Sequence, residues 1–294
     1  MTYSTQVNRL FSIVFGEKIQ KHFENIILVL AGLGFLIHLL LIVLKTNNVG
    51  FLSEINSSLL NDPITAIYTP FSLILIYEVY LLVFYLPRSF TSCVSKQFEI
   101  ISLIVIRKIF KDIPQMDLQG DWYLSQHNLE LMVDLLGFLL LFLLIYLFNV
   151  GKNRLPKKVV KNPKLLNFIS SKKVVSLVLL FLLMITSTYS LVTWLMHVFA
   201  DGYVSNVDGV FFNQFFTLLI LTDVIILLIS FRYTEEYSKL IRNTGFIIAT
   251  ILIRLSFSAD GFLNIILILT GVGFALLILQ IFNAMENPKL DSTA

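Results

Sequence analysis

Eight apolar stretches divide this chain of 294 residues, and their lengths decide the class of fold. A helix needs about 20 mostly apolar residues to cross a bilayer, or ~17 at the short end. Because 56% of the residues are hydrophobic and only 14% are charged, we predict an all-α polytopic integral membrane protein. The predicted crossings lie near 24–45, 66–87, 94–111, 131–150, 173–197, 211–232, 242–257 and 260–284.

The third and seventh stretches each carry an arginine inside a short apolar segment, Arg107 and Arg254. A guanidinium in hydrocarbon costs on the order of several kcal/mol unless a partner or water receives it. An acid lies in the stretch before each arginine: Glu78 is 29 residues before Arg107, and Asp223 is 31 residues before Arg254. The arginines are 147 residues apart, half the chain, which predicts two parallel four-helix repeats. Chance similarity between apolar segments is the alternative.

The charges of the loops predict the orientation. The segment from Lys152 to Lys173 carries eight cations and no acid, and such a loop is expected to stay in the cytoplasm. With eight crossings the other loops obey the same rule, and both termini are then cytoplasmic. If only the third stretch failed to cross, the eight-cation loop would lie outside, which the rule disfavours.

The chain is therefore predicted to have five parts. The segment 1–23 has apolar residues at helical spacing, which predicts an interfacial amphipathic helix, and a helical extension packed on the bundle is the alternative. No cleavable signal peptide is expected in this segment. The remaining parts are a first four-helix unit at 24–151, a basic linker at 152–172, a second unit at 173–286 and a tail at 287–294.

A four-helix unit with an acid in its second span and a late arginine in its third resembles the bacterial phosphate-starvation-inducible E family of small inner-membrane proteins. The pattern is clearest from Phe231 to Ala259 and weaker from Tyr77 to Asp112. The resemblance implies a four-helix membrane unit in a bacterial inner membrane, and it implies no particular mechanism. This chain departs from the family because it carries two units and a long basic linker.

Charged and polar groups within the predicted spans form the candidate site, since such groups usually face the bundle interior and pair there. The clusters could conduct protons or small ions, with carboxylates exchanging protons beside the arginines. Ion pairs that only fix helix register are the alternative, and His38 by itself also fits a simple packing role. The first cluster is predicted to contain His38, Glu78, Arg107 and Asp134, with Glu99 about two turns deeper than Arg107, and the second Asp223, Arg254 and Asp260.

The basic linker offers a second candidate surface. Its cations are expected to contact anionic lipid headgroups on the cytoplasmic side, or to dock a protein partner, whereas nucleic acid is not expected. The positive charge of this loop is also explained by its cytoplasmic orientation alone. The cations predicted to bind lipid or a partner are Lys152, Arg154, Lys157, Lys158, Lys161 and Lys164.

Other functional classes are disfavoured. The chain lacks the common motifs of metallopeptidases, serine hydrolases and phosphate-binding loops, so we expect neither an enzyme nor a cofactor. The third span holds only Arg107 and Lys108 and the seventh only Arg254, too few cations at three-residue spacing for a voltage sensor. Two functions remain: a channel or carrier for protons or small ions, and a non-transporting anchor or sensor subunit. A homo-oligomer is compatible with both.

Overall fold

A computed structural model describes residues 3–47, 60, 63–113, 125–154, 163–201, 207–233, 236–259 and 261–286. Within these ranges the regular secondary structure is helical, and no strand is present. A 3-10 turn at Pro63–Ile67 precedes the third α-helix. The α-helices are α1 (Tyr3–Val14), α2 (Glu17–Thr46), α3 (Tyr68–Tyr85), α4 (Phe90–Asp112), α5 (Gln126–Asn153), α6 (Pro163–Asp201), α7 (Val207–Tyr233), α8 (Tyr237–Ser256) and α9 (Phe262–Glu286).

Each predicted crossing coincides with one of the helices α2 to α9. Six of these helices, in the part of the chain that the structure describes, are long and apolar enough to cross a membrane: α2, α3, α5, α6, α7 and α9. Helices α4 and α8 are not among the six, since several charged residues interrupt their sequences. The outward faces of the long helices are apolar, and Leu36 and Leu136 expose 62% and 68% of their surfaces. Extended apolar surface of this kind is typical of a membrane protein.

Helices that follow each other in the chain pack side by side within each half. In the first half α2 packs on α3, α3 on α4 and α4 on α5; in the second half α6 packs on α7, α7 on α8 and α8 on α9. The halves meet where α5 packs on α9 and α4 on α8, and α6 also contacts α3. Helices α4 and α8 are thus each in contact with both sequence neighbours and with each other.

Aromatic side chains fill the region where the halves meet. The Phe98 ring of α4 lies 5.1 Å from that of Phe148 in α5, and the Phe148 ring lies 5.7 Å from that of Phe246 in α8. All three rings are fully buried. Edge-on and tilted ring pairs of this kind add about 0.5–1.5 kcal/mol each beyond the area that they bury.

Helix α1 packs on the bundle, and part of its apolar face stays exposed. Tyr80 of α3 donates a hydrogen bond from Oη to the Val14 carbonyl at 3.3 Å, and the buried Phe15 ring stacks on Tyr80 at 5.7 Å. Leu10 and Ile13 each expose 56% of their surfaces. The segment therefore has features of both sequence interpretations, a packed extension and an amphipathic surface helix.

The basic linker is shorter than the predicted range 152–172, because helices continue into it from both sides. Helix α5 runs to Asn153 and α6 begins at Pro163. Lys172 therefore lies in a helix, and its side chain is buried. Below, the linker end means the end of the bundle at which α5 ends and α6 begins.

Candidate functional site

The first ion pair joins α3 and α4. Arg107 Nη1 lies 3.0 Å from Glu78 Oε2, and the same nitrogen donates to the Phe71 carbonyl at 3.2 Å. The Glu78 side chain is 3% exposed and that of Arg107 is 13% exposed. Because α3 and α4 are consecutive helices joined by a short turn, an acid midway along one lies opposite a residue on the other. The arginine is thus received by a carboxylate and a carbonyl.

The second ion pair joins α7 and α8, and its arginine is buried more deeply than Arg107. Arg254 Nη1 lies 2.5 Å from Asp223 Oδ2, and Thr250 donates from Oγ1 to the same oxygen at 2.8 Å. Thr250 can reach this oxygen because residues four apart lie on one face of a helix. The Arg254 side chain is 2% exposed. Both acid–arginine partners that the sequence predicted are therefore in contact.

Gln97 of α4 completes the second pair from the other half of the chain. Arg254 donates from Nη2 to Gln97 Oε1 at 3.3 Å, and Gln97 donates from Nε2 to Cys93 Sγ at 3.5 Å. Gln97 is not among the site residues predicted from the sequence, although an amide inside a predicted span is itself a signal of a polar contact. The second site therefore contains residues of both halves.

Asp134 pairs with Lys108, the residue that follows Arg107, rather than with Arg107 itself. Lys108 Nζ lies 2.8 Å from Asp134 Oδ2, and the Asp134 side chain is 7% exposed. Consecutive residues on a helix point about 100° apart, so Arg107 faces α3 while Lys108 faces α5. His38 of α2 contacts α3, where its Nδ1 lies 2.6 Å from Thr69 Oγ1. The first predicted cluster is thus divided among separate contacts.

Glu99 belongs to a different polar network, nearer the linker end of α4 and α5. Its Oε2 lies 2.5 Å from Lys96 Nζ, and its Oε1 accepts from Asn149 Nδ2 at 3.4 Å. Ser95 donates to Asn149 Oδ1 at 2.6 Å and accepts from Lys152 Nζ at 2.9 Å. Lys152, one of the predicted lipid-binding cations, therefore has its ammonium bonded to α4.

The other predicted site residues divide by where they lie. Arg154 is exposed just after α5. Lys164 lies in the first turn of α6, and its side chain is not described. Asp260 and the linker residues Lys157, Lys158 and Lys161 lie outside the described residues.

No group of three or more histidine, cysteine, aspartate or glutamate side chains that could hold a metal ion occurs within the described ranges. Comparisons of the chain with protein-family models, with curated proteins and with solved structures found no match. The resemblance to the phosphate-starvation-inducible E family stays a prediction from the residue pattern.

Proposed function

We propose that this chain crosses a membrane eight times as two parallel four-helix repeats and that it conducts or carries protons or small ions. The order of helix contacts, which is the same in both halves, supports the repeat. Crossing by α4 and α8 is supported by ion pairs with neighbouring helices, in which acids of those helices bind Arg107, Lys108 and Arg254. By the resemblance, the membrane is a bacterial inner membrane, and by the loop charges both termini face the cytoplasm.

The observation that carries the proposal is the pair of acid–arginine contacts at corresponding places of the two halves. Ionisable groups within a membrane bundle mark ion and proton paths more often than other residues do. A carboxylate beside a movable guanidinium has a simple exchange mechanism. When the arginine moves away, Glu78 or Asp223 binds a proton or a small cation, and the return of the arginine releases it.

Flux measurements in liposomes test the proposal. Glu78→Gln and Asp223→Asn remove the exchanging carboxylates while keeping the shape of the side chains, so we expect flux to fall toward that of protein-free vesicles. Glu236→Gln is the matched control, since Glu236 forms an exposed pair with Lys239 at 2.7 Å outside the two sites. Its flux should equal that of the unmodified protein.

A double variant separates transport from a purely structural role. Asp223→Asn alone leaves a buried arginine unpaired, which destabilises the bundle. Asp223→Asn with Arg254→Gln leaves no buried charge in this pair, so the fold should recover while flux stays low. Wild-type flux in the folded double variant would mean that the pair only fixes helix register.

The second candidate function is a non-transporting membrane anchor or sensor subunit. It is favoured by the closure of the second site, where Asp223 and Gln97 bond the nearly inaccessible Arg254. Flux that never exceeds that of protein-free vesicles, under any ion gradient or potential, would leave this function in place of the first.

A further inference from the structure

Two cations at the linker end, the exposed Arg88 and the half-buried Lys173, lie over aromatic rings. Arg88, in the turn between α3 and α4, has its guanidinium carbon 5.2 Å from the ring centre of Tyr85 and 5.5 Å from that of Phe84. Lys173 of α6 has its Nζ 5.2 Å from the ring centre of Phe11 in α1, and it also donates to Asn8 Oδ1 at 2.7 Å. Cations held over ring faces keep a defined position and still present donors to solvent.

A third cation lies beneath them. Lys172 is 2% exposed, and its Nζ donates to the Arg88 carbonyl at 2.5 Å. The same nitrogen is 4.7 Å from the ring centre of Phe90 and 5.6 Å from that of Phe168. The ammonium of Lys172 is thus held between the backbone of Arg88 and two ring faces.

A series of ring contacts, which includes the buried Phe15 and Phe84, links the rings beneath Arg88 and Lys173. The Phe11 ring lies 4.9 Å from that of Phe15, and the Phe15 ring lies 6.1 Å from that of Phe84, on which Arg88 rests. We call the surface formed by Arg88, Lys172, Lys173 and these rings the cation–aromatic face.

The described part of the chain supplies no acid that pairs with the cations of the face. Among the described residues, no carboxylate forms an ion pair with any of its three cations. Burying or grouping three like charges without acids is unfavourable unless an anion compensates them. The face therefore has the charge of a site for an anion.

We propose that the cation–aromatic face binds the phosphate group of an anionic phospholipid, whose acyl chains lie along the exposed side of α1. Arg88 and Lys173 define the position of the headgroup. Leu10 and Ile13, exposed apolar residues of α1, define the position of the acyl chains. A lipid fits this combination because it carries its anion and its apolar chains together, at the level where apolar helices end. The proposal requires that the bundle lies in a bilayer, and it does not require ion transport.

Lipid titration of the full-length chain in detergent tests the site, with bound lipid counted by native mass spectrometry and stability followed by thermal unfolding. The probes are phosphatidylglycerol, phosphatidylcholine and inorganic phosphate. Arg88→Gln with Lys173→Gln should weaken phosphatidylglycerol binding about thirtyfold, as expected for the loss of two cations near a headgroup. Phosphatidylcholine binding should not change.

Two further variants make the result specific to the face. Lys157→Gln with Lys158→Gln removes the same charge from the linker and should weaken phosphatidylglycerol binding much less. Arg88→Lys with Lys173→Arg keeps the charge and should keep the binding, which shows that loss in the glutamine variant is electrostatic and not a failure to fold.

Three outcomes would overturn the proposal. The first is unchanged phosphatidylglycerol binding in the Arg88→Gln, Lys173→Gln variant. The second is an equal loss in the linker variant, which would assign the effect to diffuse charge. The third is stabilisation by inorganic phosphate equal to that by phosphatidylglycerol, which would identify a free anion as the ligand. None of these results depends on whether the protein transports ions.

Discussion

Arg107 and Arg254 bind equivalent acids, but their surroundings differ. The Arg254 side chain is 2% exposed and is bonded to Asp223 and Gln97, whereas that of Arg107 is 13% exposed and is bonded to Glu78 and a carbonyl. Breaking a buried pair leaves an uncompensated charge, and the penalty grows as solvent is excluded. At the scale of single residues, we therefore expect that breaking the second pair destabilises the fold more than breaking the first.

This difference predicts the order of two substitutions. Arg254→Gln should lower the free energy of unfolding by about 3–5 kcal/mol, since it leaves Asp223 buried and unpaired. Arg107→Gln should cost less, because position 107 is partly exposed and water can replace some of the contacts that the arginine makes. Unfolding of the full-length chain in mixed detergent micelles measures both. Equal losses would contradict the ranking of the two sites.

Helix α4 is the element that connects the bundle, since three of its polar side chains point to three different neighbours. Arg107 bonds to α3, Lys108 to α5 and Gln97 to α8. Arg107 and Lys108 therefore each have an acid of a neighbouring helix as ion-pair partner. The same contacts explain why a helix with this many charges lies among apolar helices.

Gly271 of α9 lies very close to α8. A Cβ at Gly271 would lie 2.7 Å from Ile253 Cγ1 and 2.9 Å from the Ala249 backbone oxygen, while a Cβ at Gly273 would meet nothing within 4 Å. A backbone atom cannot move aside as a flexible side chain does. The sequence does not distinguish the two glycines, whereas the structure does.

We therefore expect Gly271→Ala and Gly273→Ala to have opposite effects. Gly271→Ala should destabilise the protein by about 1–3 kcal/mol through overpacking. Gly273→Ala should be neutral or slightly stabilising, because alanine favours a helix by about 1 kcal/mol over glycine. Thermal unfolding in one detergent compares them directly, and a similar loss in both would contradict the close approach at Gly271.

At the scale of the whole molecule, the helices pack on each other in the same sequence in both halves. The halves meet through α4, α5, α8 and α9. The proposed topology requires that α4 and α8 cross the membrane, although their charges set them apart from the six more apolar helices. If both cross, the turns before and after each helix lie on opposite sides.

Labelling single introduced cysteines with a membrane-impermeant thiol reagent tests this topology. Arg88→Cys and Glu236→Cys should react from one side of the membrane, and Asp117→Cys and Ser258→Cys from the other. The native Cys93 is buried and provides a low background. If the two positions that flank α4 or α8 react from the same side, that helix does not cross and the eight-crossing topology is wrong.

The sequence by itself determined the helical class, the positions of the helices α2 to α9 and the two acid–arginine partners. Apolar length defines each span. A short polar turn makes consecutive helices antiparallel neighbours, so Glu78 and Arg107, or Asp223 and Arg254, lie at matching depths.

Only the tertiary structure decided which way each side chain points and which distant residues meet. The assignment of Asp134 to Lys108, the reach of Arg254 to Gln97 across 157 residues, and the burial of Lys172 all depend on the rotation and tilt of helices. Packing against neighbouring helices sets that rotation and tilt, and apolar length carries no information about either.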